Sequence, residues 1–537
     1  MGMELAKYQK SKDIRCAGGF EAVVRVDKHI GFREKIRALG LKNPNKGDVP
    51  LEDATLMYLG ARIFFPNSIL ETPERIKETI IAEELGIEHE HINPDLFYRM
   101  LDYFTDDVQE AIIKEVNGRI LNRFMWNLQD IQETYRKEVV NGLSEELSQS
   151  VLADIDTTII HSEGRECELV KRCYNAANPS QRYGSKLVLT HIRSIKIPMF
   201  FPLVEGNKAD VKQLRPTVES LERLYPNVRF TFVGDRSMFD AEVLDDVAKK
   251  HDIIIGGKLN SRIKRIWKER EDELEWKVIS TKEVSVGCKK REYKIYSAKT
   301  EIDFEGYKGP MYAHFFYDEE RAERERKEEM EKEVAERILR EKIEQMLLSE
   351  KGRRKITKKL VRQIEEELGD IAEKYRIDIR LMVEKVANGE KEAEDKQGWY
   401  GKFLVHTSNR NLSSKTVLEK YRGRAEVEEG IKTLKSALRI RPVYIWNAAR
   451  VKAYIFLVVM AYLFLSVIRF CMDEKEQKML PQRFVEKRLN ITGEIVRKNG
   501  KLIFESDGIN DLRAILQRID SKFAAPPSSA GVTARSL

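Results

Sequence analysis

The chain has 537 residues, too many for one hydrophobic core, which implies roughly two to four structural units. With 42% hydrophobic and 34% charged residues, it is neither a fibrous repeat nor a disordered polyelectrolyte, but a globular protein with a heavily charged surface. The 95 basic against 88 acidic side chains leave a net charge of +7, which admits nucleic acid as a partner without requiring it. Cys16, Cys167, Cys173, Cys288 and Cys471 are scattered, with no CxxC pair and no histidine at zinc spacing. That argues against a disulfide scaffold and for a reduced, cytosolic protein.

Residues 1–145 read as a mostly helical unit and a candidate DNA-binding domain. The opening MGMELAKYQKSKDIRC lacks the apolar stretch of a secretory signal. ETPERIKETIIAEELGI (71–87) starts on Thr-Pro and spaces its apolar residues helically, and INPDLFYRMLDYFTDDVQEAIIKEVNGRI (92–120) continues in that style. Short helices joined by tight turns suit a helix-turn-helix reader and a plain small bundle equally well.

The pattern changes at about 150. VLADIDTTII (151–160), KLVLTHI (186–192), PMFFPLV (198–204), RFTFVG (229–234) and DIIIGG (252–257) are short β-rich runs bounded by turn residues. VKQLRPTVESLERLY lies between the third and fourth runs, and DAEVLDDVAKK between the fourth and fifth; both are helical in spacing. Three strands followed twice by helix and strand predict an α/β sheet covered by helices over 146–260.

Residues 261–410 form an insertion. From about 318 to 395 Glu, Lys and Arg recur at helical periodicity, which predicts largely charged, solvated helices. KGRRKITKKLVR (351–362) is the one basic stretch there; MYAHFFY (311–317) and GKFLVHT (401–407) are strands that bracket the helices. The interval 411–475 opens with a strongly helical 415–438. It continues past Arg441-Pro442 to the apolar segment AYIFLVVMAYLFLSVI (453–468), sixteen residues where a bilayer needs roughly 20. Two tyrosines, a serine and flanking charge favour a buried core helix over a membrane span. Residues 476–537 form an extension whose tail, from about 520, is small and polar and expected to be disordered.

Carboxylates stand at strand ends. Asp235 directly follows RFTFVG, at the carboxyl end of a buried strand, where open α/β sheets gather their chemistry. Asp154 and Asp156 lie two apart on one face of the first strand, and a carboxylate in so apolar a strand is costly unless a cation or hydrogen bonds satisfy it. In EKYRGRAEVEEGIKTLKSAL, Tyr421, Arg424, Glu428 and Lys435 fall within an arc of about 60° on one helix face at roughly 100° per residue. Val427, Ile431, Leu434 and Leu438 make the adjacent apolar stripe. A run of surface ion pairs would look the same by spacing alone.

Tyr421-x2-Arg424-x3-Glu428-x6-Lys435 resembles the motif of the YREK superfamily of DDE insertion-sequence transposases. Asp235 in VGDRSMFD is similar to that family's second aspartate. EGNKAD (205–210) is similar to its Gly-Asn-x-x-Asp segment, and DIDTT to its first-aspartate strand. QGWYGKFLVHTSN and KSALRIRPVYIWNAARVKAYIFLVVMAYLFL are similar to its C-terminal stretch. The resemblance runs from about 150 to 470 with the motifs in order.

The resemblance implies an α/β, RNase H-like mixed sheet with flanking helices, interrupted by the long helical insertion and preceded by the N-terminal helical domain. It implies Asp156, Asp235 and Glu428 as catalytic metal ligands for two Mg2+ (or Mn2+) ions, roughly 3.5 to 4 Å apart in such sites. Asp154 is the alternative to Asp156, which is preferred because Thr158 follows it by two. Tyr421, Arg424 and Lys435 would bind DNA phosphate. The implied activity is hydrolysis at element ends and strand transfer into target DNA. The implied setting is a cytoplasmic, nucleoid-associated homodimer on DNA, with no membrane. A transposase-derived DNA-binding protein that does not cut, or a nuclease without strand transfer, would share much of the sequence.

Overall fold

The computed structural model describes residues 14–15, 18–44, 49–124, 150–164, 166–173, 183–193, 195–226, 228–238, 241–286, 289–303, 307–349, 358–375, 377–387, 398–498 and 501–524. A two-residue strand, β1 (Ile14–Arg15), precedes α1 (Phe20–Ile30), α2 (Phe32–Ala38), α3 (Leu51–Phe64), α4 (Thr72–Lys77), α5 (Ile81–Leu85), α6 (Pro94–Leu101) and α7 (Asp106–Phe124). Each is an amphipathic or buried segment with a local stop. Helix α1 buries Phe20, Val23, Val26 and Ile30 at helical spacing and ends at Gly31 with φ 69°. Helix α6 starts where the Asn93 side chain accepts from the Leu96 amide, with Pro94 at the first position.

The central sheet begins with β2 (Val151–His161), β3 (Lys171–Arg172), β4 (Tyr183–Ile192), β5 (Ile197–Phe200) and β6 (Leu203–Glu205). Then come α8 (Val211–Leu224), β7 (Phe230–Gly234), α9 (Ala241–Val247) and β8 (Asp252–Gly256). β4 runs antiparallel to β2, while β2, β7 and β8 are mutually parallel neighbours; β5 and β6 pair with β4. The runs at 151–160, 186–192, 229–234 and 252–257 and the two helices fall in the predicted order. The run at 198–204 divides into β5 and β6 and the short β3 is added, so among the described residues five strands of this sheet and not three precede α8.

The next segment holds α10 (Ser261–Arg270), β9 (Lys277–Val286), β10 (Lys289–Ile302), β11 (Met311–Asp318), α11 (Glu319–Ser349), α12 (Lys358–Lys374), α13 (Ile379–Ala387) and β12 (Lys402–Thr407). The charged helices and the bracketing strands lie where the sequence puts them, and a hairpin, β9–β10, is added that it does not announce. Strand β9, KVISTKEVSV, is exposed along most of its length, so no alternation of buried and exposed residues marks it. The sheet thereby reaches eleven strands, with β3-β4-β2-β7-β8-β12-β11-β10-β9 as its path. Helices α11–α13 enclose a separate small core of Leu339, Ile343, Ile364, Leu368, Ala372, Ile379 and Val383. Of the basic stretch 351–362, residues 351–357 lie outside the described residues and the rest opens α12.

Two helices, α14 (Ser414–Arg422) and α15 (Ala425–Lys435), occupy the stretch predicted as one continuous helix over 415–438, and that expectation is corrected. The break falls at Gly423, where a Cβ would meet the Arg193 guanidinium at 2.5 Å, so a side chain there would displace that arginine from its place against the backbone. The predicted apolar stripe holds: Val427, Leu434 and Leu438 are fully buried and Ile431 nearly so. Helix α16 (Ala448–Phe470) is the apolar segment, 94% buried over its most hydrophobic window. It packs against α1, α3 and α6 and against β5 and α15. The N-terminal helices therefore share one hydrophobic core with the sheet instead of enclosing their own.

The chain ends with α17 (Glu474–Gln477), α18 (Pro481–Phe484), β13 (Gly493–Lys498), β14 (Lys501–Glu505) and α19 (Ile509–Ala524). β1 pairs with β13, and Asp520 of α19 meets Arg25 and, at 3.0 Å, His29 of α1. The predicted tail is thus helical through Ala524, and 525–537 lie outside the described residues.

Candidate active site

Backbone register brings the first two carboxylates together. In the parallel pair, Asp154 lies beside Val233 and Ile155 beside Gly234, so the next step along both strands sets Asp156 beside Asp235. The buried run of β7, FTFVG, ends one residue before Asp235. The Asp156 carboxylate accepts from the Thr157 amide at 2.8 Å, and the Thr157 hydroxyl donates to Asp210 at 3.0 Å. Asp210, the acid of the EGNKAD segment, also receives Lys186 at 2.6 Å. Asp210 therefore pins the strand next to Asp156.

Asp154 is differently placed. Its side chain has no solvent exposure, and both its oxygens accept from Arg193, Nε at 2.9 Å and Nη2 closer still. Burial pushes its carboxyl up to about 6, against the pull of the guanidinium. A carboxylate so held is already satisfied. Arg193 directly follows the apolar strand β4, and the sequence reading passed over it. An arginine at the end of a strand next to one bearing a buried acid was the available signal.

Glu428 comes from the first turn of α15, 59% exposed, with Arg424 at the helix start holding its Nη2 3.5 Å away. The same guanidinium lies 3.9 Å from Asp235, 3.5 Å from the Tyr421 hydroxyl and 5.6 Å over the Tyr421 ring. Tyr421 in turn fills the space that Gly256 leaves at the end of β8, its hydroxyl 2.3 Å from where a Cβ would stand. Gly430 on α15 does the same for Tyr462 of α16, which sets the helix carrying Glu428 against the core. Lys435, half-buried at the far end of α15, is held below the usual lysine range by burial and Arg441, while Asp156 opposes that fall.

Electrostatics ties the group together. The Asp156 carboxyl is raised by burial first, then by Glu428 and Asp235, while Arg424 and the Thr157 amide lower it. Asp156, Asp235 and Glu428 approach one another from β2, the end of β7 and α15, joined by Arg424, which lies 3.9 Å from Asp235 and 3.5 Å from Glu428, but their carboxylate oxygens do not all come within 4.8 Å of one another. All three candidate ligands are carboxylates, a donor set suited to Mg2+ or Mn2+ and not to zinc. A divalent cation would relieve the mutual repulsion that raises Asp156. Among the described residues, Glu88, Glu90 and His91 do bring ligand atoms within 4.8 Å of one another, but both acids are exposed on the surface and pair with His91, and exposed acids need no ion to satisfy them.

No curated relative matches the chain. Among solved structures it is distantly similar to the piggyBac transposase in its synaptic complex with hairpin DNA. The identity is 10% over 95% of this chain and 82% of that one, at a TM-score of 0.34. Residues 148–464 match the transposase DDE domain, a span that runs from just before β2 into α16 and includes all three carboxylates. The chain belongs to the transposase DDE domain family.

Proposed function

We propose that this DNA transposase cuts and joins DNA with Asp156, Asp235 and Glu428 as its metal ligands, and that Asp154 is a structural acid held by Arg193. DDE transposases generally use divalent metal; here two Mg2+ or Mn2+ ions would activate water or a DNA 3′-hydroxyl and stabilise the leaving oxygen. The observation that carries the reading is geometric convergence: strand register sets Asp156 beside Asp235, and the Arg424 guanidinium lies 3.9 Å from Asp235 and 3.5 Å from Glu428.

The chain's own groups do the rest. The Thr157 amide orients the Asp156 carboxylate, and Asp210 holds the Thr157 hydroxyl beside it. Arg424, 13% exposed and backed by the Tyr421 ring, offers a guanidinium to a DNA phosphate between Asp235 and Glu428. Lys435 adds a second cation on the Asp156 side. Their charge neutralises a phosphorane-like transition state. No covalent protein intermediate is needed, so Tyr421 positions and does not attack. Strand transfer requires two DNA ends to be held together, which favours a homodimer.

The test is a strand-transfer assay on DNA carrying the repeats that flank the coding region, in Mg2+. The reading expects nicking, release of a 3′-end and its joining to target DNA, all lost in Glu428→Gln. Nicking without joining would mark a nuclease. Binding without nicking would mark a DNA-binding protein that no longer cuts.

A further inference from the structure

Behind the post-Lys435 segment lies a cleft of about 380 Å3, walled on one side by the loop after α3 and on the other by residues 439–445. At its wall stands Arg62, on the last turn of α3, only 3% exposed. Its guanidinium donates to the Asn67 carbonyl and the Tyr454 hydroxyl and lies 5.0 Å over the Tyr454 ring. Its Nε has no hydrogen-bond partner at all. Its ion pairs are as telling: no described carboxylate lies in salt-bridge range, and the groups acting on it are the neutral phenols Tyr454 and Tyr58. A buried cation without a counter-charge is costly in a folded core. Arg439 and Arg441 line the same cleft, against a single acid, the exposed Glu71.

The cleft is lined by the segment that follows α15, the helix bearing Glu428. Lys435, at the end of α15, feels both Arg441 and Asp156, and Arg441 lines the cleft with Arg439 and Arg62. Tyr444 stands at the cleft 68% exposed, an aromatic face of the sort that lies along nucleic acid.

We propose that this cleft, through Arg62, Arg439 and Arg441, takes a backbone phosphate of the DNA strand beside the one held at Asp156. The inference rests on the DNA-cutting reading above. An Arg fork against a phosphate makes paired, charge-assisted bonds, and the ligand supplies the negative charge that Arg62 lacks. A free phosphate compound offers the same chemistry, and the experiment separates the two.

The test uses the full chain, without metal, on duplexes from the flanking repeats in which one phosphate at a time is replaced by a neutral methylphosphonate. Wild-type protein should lose roughly tenfold or more in affinity at one or two backbone positions. In Arg62→Met and in Arg439→Gln, a selective loss of that sensitivity, with the other sensitive positions kept, supports the cleft. Arg439 is exposed, so its variant folds even if the buried Arg62→Met does not. Unchanged interference in Arg439→Gln overturns the proposal. So does a rise in melting temperature with inorganic phosphate, at matched ionic strength, that both variants lose while the DNA profile stays as in wild type; the cleft would then serve a free phosphate. Failure of the cutting reading shows elsewhere, as wild-type protein that does not bind these ends or Glu428→Gln protein that still cuts.

Discussion

The β2–β7 pair and the β9–β10 hairpin belong to one sheet, and they treat charge in opposite ways. Every residue of β7 is buried, Asp154 is fully enclosed, and Asp156 responds to acids on two other elements. On the hairpin, Lys282 pairs with Glu320 and Arg291 with Glu323 while all four side chains stay 40% or more exposed. Two unit charges about 4 Å apart interact by roughly 1 kcal/mol in water but by about 4 kcal/mol at the effective dielectric of a protein interior. Proximity of charges therefore carries functional weight in the first region and little in the second.

Removing a carboxylate from the buried region should have the largest effect. Asp156→Asn, Asp235→Asn and Glu428→Gln should each cut cleavage by on the order of a thousandfold, since metal-borne charge stabilisation amounts to several kcal/mol. End binding should be nearly unchanged, because no phosphate contact is removed. Wild-type cleavage in Mg2+ by any one of them, measured beside its DNA affinity, would sink the triad.

Asp154→Asn should instead damage stability. Breaking its pair strands the buried Arg193 and should cost about 3 to 5 kcal/mol, read by urea unfolding, with metal dependence of any remaining activity unaltered. A well-folded Asp154→Asn protein that cannot cut would hand the metal role back to Asp154.

How much of this was legible in the sequence depends on the same contrast. β2, β4, β7 and β8 are recognisable because buried strands need continuous apolar runs, and Asp235 because it ends one of them. Glu428 was legible as a candidate only through the family resemblance that its spacing from Tyr421, Arg424 and Lys435 carries, since spacing alone also fits a run of surface ion pairs. The different surroundings of Asp154 and Asp156 were not, since both share a strand face and Arg193, which binds Asp154 alone of the two, is 39 residues from it. Nor was the helix break at Gly423, which answers to that same arginine across the fold. The β9–β10 hairpin was missed because an exposed ribbon has no buried face to leave a period-two pattern.

Arg424→Ala and Lys435→Ala come next. Charge-assisted phosphate contacts contribute on the order of 1.5 to 3 kcal/mol, so each should weaken grip on pre-cleaved ends by about tenfold or more, with the Mg2+ requirement unchanged. Tyr421→Phe should lose less, as only a hydroxyl goes. Normal end binding with an altered Mg2+ titration in Arg424→Ala would move that arginine from phosphate to the carboxylates it neighbours.

Buried histidines sharpen the comparison through pH. Burial holds His191 and His314 down to about 3 and His406 to about 4. Their folded values lie below the unfolded one, so the unfolded chain takes up protons first as pH falls. The stability they contribute is present above about pH 6.5 and is lost as the pH drops toward their folded values, by about 2 kcal/mol per histidine near pH 5. Urea unfolding of wild type and His314→Gln at about pH 8 and about pH 5 isolates one of them: the variant should lose less on acidification. Equal losses would mean that His314 is charged in the fold.

The hairpin pairs should give the smallest effect, and they test the contrast from its solvated side. Lys282 and Glu320 meet at 2.9 Å, and Arg291 and Glu323 at 2.8 Å, distances as short as those in the buried region. If distance alone set the energy, Lys282→Ala and Arg291→Ala would cost as much as losing the Asp154 pair. Exposure predicts otherwise: water already solvates each partner, salt screens the attraction, and long side chains give up rotamer freedom to meet. Each variant should lose under about 1 kcal/mol, and less in high salt. Glu323 is the sterner case, because it also accepts from the Tyr293 hydroxyl at 2.9 Å. Double-mutant cycles at Arg291 and Glu323, compared with Tyr293 and Glu323, separate the ion pair from that hydrogen bond. A coupling of several kcal/mol for Arg291 with Glu323 would show that the hairpin is shielded in solution, by a partner or by the insertion helices. The division of the sheet into a buried half that uses charge and an exposed half that only carries it would then fail.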